Sequence, residues 1–129
     1  MTTLFSLLLL ASTPQDRFLD ALIRVESGGR STAVGDGGKS HGVLQVQHAY
    51  WRDAGGRGGY SQYLADGRNP HKARAIALAY FRRYEPKALK TGDWETLARC
   101  HNAGPGWRSH RMATDGYWNK VKHEIRRSK

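Results

Sequence analysis

With 129 residues the chain is long enough for one domain that buries its own core, and 21 Lys and Arg against 11 Asp and Glu give it a formal charge of +10. A single cysteine, Cys100, excludes an internal disulfide framework and any zinc site built on several thiolates. The charge narrows the partners to something negative, whether nucleic acid, an anionic membrane or an acidic wall polymer, and no further.

Residues 4–11, Leu-Phe-Ser-Leu-Leu-Leu-Leu-Ala, are apolar but too short to span a bilayer as a helix. With no Lys or Arg ahead of them, two readings stand for residues 1–13: a signal peptide cleaved near Ala11 to Thr13, or an extra N-terminal helix packed on the core. Thr13, Pro14 and Asp16 make a helix start, with an N-cap, a proline at the first helical position and an acid in the first turn. Phe18, Leu19, Leu22 and Ile23 then recur at helical spacing until Gly28-Gly29 ends the helix. Residues 31–42 are rich in Gly and Ser, and Asp36-Gly37 is a turn signal expected to close a small hairpin against the alternating run from Val43 to Val46.

Residues 48–54 are expected as a short helix, followed by a flexible glycine loop over 55–59. Asn69-Pro70 caps a strong helix whose stretch from Ala73 to Phe81 is apolar enough to be central to the core, and Pro86 stops it by the following turn. Asp93 starts another helix through Trp94, Leu97 and Ala98 to about His101, broken by Gly104-Pro105-Gly106. Tyr117, Trp118, Val121 and Ile125 mark a basic amphipathic helix at the C-terminus. The fold class is α+β, mainly helical, with one small β element directly after the first helix. Residues 14–129 read as a single domain.

Glu26 continues the apolar face of the first helix, and a carboxylic acid kept partly dry can hold a proton near neutrality, as a general acid must. The competing reading is a solvated glutamate on a last helical turn. Asp36 follows ten positions later in a polar turn, where solvent and backbone amides keep a carboxylate ionised. One acid on an apolar face and one in a wet loop form the contrasting pair that glycoside hydrolysis uses. Against this, Asp-Gly is a common turn dipeptide. Asp53, at the end of the short helix, is the lower-ranked rival.

Several segments carry a resemblance. Val25-Glu26-Ser27-Gly28 is followed by His41-Gly42-Val43-Leu44-Gln45-Val46, which runs into Ala49-Tyr50-Trp51-Arg52-Asp53-Ala54. His101-Asn102-Ala103-Gly104-Pro105 and Gly116-Tyr117-Trp118-Asn119-Lys120-Val121 come after them. In content and order these resemble the invertebrate-type (destabilase-like) lysozymes over roughly residues 18–121. The first segments alone also occur in lytic transglycosylases and goose-type lysozymes; the ordered set is more specific. The resemblance implies a lysozyme-like fold with a β-hairpin beside the cleft. It also implies cleavage of the β-1,4 bond between N-acetylmuramic acid and N-acetylglucosamine of peptidoglycan. By it Glu26 matches the general acid and Asp36 the second acid, in a turn about one residue shorter than usual.

Animal members are cross-linked by disulfides, and this chain has none of those cysteines, which suits a bacterial or phage-like relative. An isopeptide-cleaving activity found in some members needs its own nucleophile and base; His101 is a candidate base and no nucleophile is evident. Expected sugar contacts are Gln45, Tyr50, His101, Asn102 and Tyr117, each with a bland alternative: an interior amide for Gln45, a core or capping role for the others. The histidines at 41, 48, 71, 110 and 123 have no metal-ligand spacing, and no cofactor is expected. Peptidoglycan is the expected partner of a monomer that is secreted, periplasmic or released by lysis, with no specific nucleic acid and no stable membrane insertion. Two rivals stand beside the muramidase: a lytic transglycosylase using Glu26 alone, and a cationic binding module indifferent to Glu26.

Overall fold

The computed structural model describes residues 12–128. The apolar segment 4–11, and with it the choice between signal peptide and extra helix, lies outside the described residues.

Helix α1 (Pro14–Ser27) starts as its sequence requires. The Thr13 side chain accepts from the Asp16 amide while Asp16 accepts from the Thr13 amide, a reciprocal cap, and Gly28 ends the helix at φ 65°. Its buried face, Phe18, Leu19, Ala21, Leu22 and Ile23, seats the helix in the core. Ser27, the last residue, donates its hydroxyl to the Val43 carbonyl at 2.8 Å. That bond ties the end of α1, one residue past Glu26, to the β region.

The sheet has three two-residue antiparallel strands in the order β1 (Val34–Gly35), β2 (Ser40–His41), β3 (Val46–Gln47). The Asp36 turn, a 3-10 segment over Asp36–Gly38, pairs Val34 with His41 and Gly35 with Ser40, and His41 pairs in turn with Val46. The hairpin therefore closes on Ser40–His41, not on the run from Val43 to Val46. The reason lies in Val43 and Leu44: both are buried, which a half-exposed alternating strand would not allow, and Gln45 sits at φ 51° in a turn. Gly42 (φ 83°) makes that turn possible, since a Cβ there would lie 1.8 Å from the Gly67 carbonyl oxygen.

Helix α2 (His48–Asp53) follows β3 directly, and α3 (Tyr60–Arg68) occupies a stretch with no clear periodic signal, burying Tyr63. Helix α4 (Pro70–Tyr84), capped by Asn69, buries Ala73, Ala77, Tyr80 and Phe81. Pro86 does not simply end it; it opens a further short helix, α5 (Pro86–Thr91), because proline suits a first helical position. Helix α6 (Trp94–Ala103) is capped by the Asp93 side chain.

After the Gly104 break, a 3-10 segment over Trp107–Thr114 leads into α7 (Asp115–Arg127), which packs against α1 and α6. Arg99, buried on α6, holds that segment: its guanidinium donates to the Arg111 carbonyl, the Thr114 hydroxyl and the Asp115 carboxylate. No described helix is long and apolar enough to cross a membrane. The result is a mainly helical domain with a small sheet at the C-terminal end of α1.

Candidate active site

The end of α1, the sheet, α2 and the C-terminal turn of α6 meet around a cleft of about 320 Å3. Glu26, Asp36, Gln45, Tyr50, His101 and Asn102 all line it.

Glu26 occupies the last turn of α1 with 18% of its side chain exposed. Its Oε2 accepts from the Tyr117 hydroxyl at 2.7 Å and lies 3.3 Å from His101 Nε2. His101 Nε2 also lies 3.1 Å from the Leu44 carbonyl, an acceptor only, so that nitrogen carries the proton and shares it between the two oxygens. On its other side, His101 Nδ1 is 2.8 Å from the Tyr50 hydroxyl. Burial, followed by the neighbouring Tyr80, Cys100 and Glu26, holds the Tyr50 phenol well above its usual range, so Tyr50 stays protonated and donates. Burial likewise raises Tyr117, with the Glu26 carboxylate as the next cause. A chain of donors thus runs from Tyr50 through His101 to Glu26, and Tyr117 adds one from the opposite end of the sequence. Glu26 Oε1 has no hydrogen-bond partner among the described residues.

Asp36 is exposed at φ 51°, and the buried Ser40 hydroxyl donates to its Oδ2. Aspartate is one of the few non-glycine residues that tolerate this left-handed conformation. Asp53 lines the same cleft, with its carboxylate 4.0 Å from Arg83 Nη1. Two carboxylates therefore accompany Glu26 there.

Gln45 lines the cleft and is hydrogen-bonded within the fold. Its amide nitrogen donates to the Ala33 and Gly42 carbonyls, so the side chain braces the β region while also facing the cleft. The Tyr50 ring stacks on Tyr80 with centroids 3.7 Å apart, which covers one face, and its hydroxyl is used on His101. Asn102 is exposed at the cleft edge and its side chain has no partner among the described residues.

Tyr117, expected to face sugar, is not among the cleft-lining residues: it backs the Glu26 carboxylate. Ser40, Gln47 and Tyr80 line the cleft and were not anticipated. Tyr80 lies in an apolar helical run that reads as core, and only the polar Ser40 beside the Asp36 turn offered a signal.

No hydroxyl or thiol other than Tyr50 pairs with His101 among the described residues. Cys100 is buried, and that burial, with Glu85 nearby, pushes its thiol up to about 12. A thiol so buried and so raised is a poor nucleophile.

Comparison with known proteins bears on the family and the fold. The family model described as "Transglycosylase SLT domain" matches residues 10–123. A lysozyme of Ostrea edulis is 33% identical over 94% of this chain and 88% of its own length. A lysozyme of Meretrix lusoria is 32% identical over 81% of this chain and 85% of its own. Lysozyme 1 of Crassostrea virginica is 37% identical, but the match spans only 43% of that protein. Among solved structures, a chain of the Aeromonas hydrophila PliI complex with Meretrix lusoria lysozyme superposes with a TM-score of 0.69 at 29% identity, covering 88% of this chain and 93% of that one. The chain belongs to the SLT transglycosylase and lysozyme-like family, as a relative of the invertebrate lysozymes that has a single cysteine and no internal disulfide.

Proposed function

We propose that the protein cleaves the β-1,4 bond between N-acetylmuramic acid and N-acetylglucosamine in peptidoglycan, with Glu26 as general acid and then base and Asp36 as the second carboxylate. The observation that carries this reading is the one-sided seating of Glu26. Oε2 is taken by Tyr117 and His101, which leaves Oε1 as the oxygen free to meet a glycosidic oxygen. The lysozyme names of the relatives and the +10 charge, suited to an anionic wall, support it.

In the first step the proton on Oε1 passes to the glycosidic oxygen as its bond to muramic C1 breaks, and the bonding pair leaves with that oxygen. The positive charge left on C1 and the ring oxygen is met by the Asp36 carboxylate, through charge or through a covalent bond. A water then attacks C1 and gives its proton to the ionised Oε1, restoring the acid. Hydrogen bonds from Tyr117 and His101 strengthen as Glu26 becomes an anion, so they favour the transition state over the bound substrate.

The SLT family match favours a second reading, a lytic transglycosylase. There Glu26 takes the proton from the muramic C6 hydroxyl, which attacks C1 in place of water and closes a 1,6-anhydro ring. Mass spectrometry of digested peptidoglycan separates the two: the hydrolase reading expects reducing muramic ends. It also expects Asp36→Asn to lower turnover by roughly 100-fold or more, and Asp53→Asn to change it little. Anhydro ends with a mild Asp36→Asn effect would overturn it.

A further inference from the structure

Beside the cleft lies a second hollow, of about 240 Å3, whose lining includes Lys39, His48, Tyr60 and Tyr63. Gln47 and Ala49 line both cavities, whereas His48 between them lines only the second. The β3–α2 junction is thus a ridge shared by the two, and the hollow is a side chamber adjoining the cleft.

Its chemistry is unlike that of the cleft. Tyr60 is 51% exposed, a large ring left uncovered. His48 stacks on Tyr63 with centroids 4.8 Å apart and meets Tyr60 edge-on, and its Nε2 is buried without a hydrogen-bond partner. The Lys39 backbone is fixed, with its amide on the Gly35 and Asp36 carbonyls and its own carbonyl accepting from Tyr63. Its ammonium is exposed and makes no ion pair among the described residues. The residues that line this one small chamber therefore include an unpaired cation and a half-exposed aromatic ring.

We infer that this side chamber binds the stem peptide of the substrate, with Lys39 taking a peptide carboxylate. The inference rests on the peptidoglycan reading above. In that polymer each muramic residue carries, through its lactyl ether, a short peptide with free carboxylates and small apolar side chains, and this branch leaves the glycan strand sideways. A strand lying in the cleft would send such a branch over the ridge. The Lys39 ammonium matches a carboxylate, and the Tyr60 ring the methyl groups of alanine. A neutral N-acetylhexosamine in the same place would leave Lys39 with nothing to pair with. Lys39 is accordingly a specificity-determining residue, selecting peptide-bearing strands.

The test compares kcat/KM on glycan strands carrying stem peptides with that on the same strands stripped by an amidase, for wild type, Lys39→Ala and Lys39→Arg. Wild type is expected to prefer peptide-bearing strands, Lys39→Ala to lose roughly ten-fold of that preference, and Lys39→Arg to keep most of it. In a Glu26→Gln background, a soluble disaccharide peptide should shift the Lys39 amide and His48 ring resonances, and the disaccharide alone should not. An unchanged preference ratio in Lys39→Ala, or equal shifts from both ligands, overturns the inference while leaving the cleavage reading intact. If wild type cuts neither kind of strand, the cleavage reading fails, and this one with it.

Discussion

Replacing Tyr117 by phenylalanine removes one oxygen, the one that lies 2.7 Å from Glu26 Oε2 and donates to it, and leaves the ring that packs between α7 and the core. The magnitude follows from what that bond does at each stage. To a protonated Glu26 it is an ordinary neutral hydrogen bond, of about 1 kcal/mol net; to the carboxylate that forms as the proton leaves, it is a bond to a charged group, of about 1.5–3 kcal/mol. The difference, about 0.5–2 kcal/mol, is lost only in the transition state, so kcat should fall about 2- to 30-fold with KM nearly constant. His101 still holds Oε2 in the variant, which is why the loss should stop there. The assay is initial-rate kinetics on a soluble chromogenic glycan, with circular dichroism to establish folding. A variant within two-fold of wild type, or one with raised KM and intact kcat, refutes the reasoning; the second outcome would mean that Tyr117 touches sugar after all.

Two further expectations concern the same region. His101→Ala leaves the Tyr50 hydroxyl and the Leu44 carbonyl without their partner, so it should lose stability as well as activity, by about 1–3 kcal/mol for each orphaned group, measured by urea unfolding. Wild-type stability in that variant would mean that water replaces the imidazole without cost. Because burial lifts the Cys100 thiol to about 12, the native protein at pH 8 should resist iodoacetamide and react only when unfolded. Rapid native labelling, read by mass spectrometry, would show that the α6 interior opens.

Much of the scaffold is written in local signals. Thr13, Pro14 and Asp16 at one end of α1, and Gly28 at the other, state the length of the helix, and its apolar spacing states which face turns inward. The same holds for Asn69-Pro70 and for Asp93. What could not be read is long-range or polar. Strands of two residues have no period to detect, and their pairing is decided by the burial of Val43 and Leu44. Helix α3 follows a glycine run and buries little beyond Tyr63, so it lacks an apolar stripe. The 3-10 segment over Trp107–Thr114 is held by the buried Arg99, whose partners lie up to 16 positions away.

The site divides in the same manner. Glu26 and Asp36 stand out because each is an acid in a distinctive local setting. The Tyr117 contact to Glu26 joins residues 91 positions apart and depends on the packing of α7 on α1, which no local pattern encodes. Tyr50 lines the cleft, but the stacking of its ring on Tyr80 and the donation of its hydroxyl to His101 have no local signal. Aromatic residues announce only that they will be covered, and the fold decides by what.

In the proposed reaction Glu26 supplies and retrieves the proton. Glu26→Gln keeps the shape and size of the side chain but removes the acid, so turnover of purified peptidoglycan by this variant is the most direct measurement. Release of muropeptides is expected to fall by at least about 100-fold, while the folded protein still sediments with the wall. Turnover equal to wild type would contradict it and would leave the +10 charge, not the cleft, as the source of any effect on the wall.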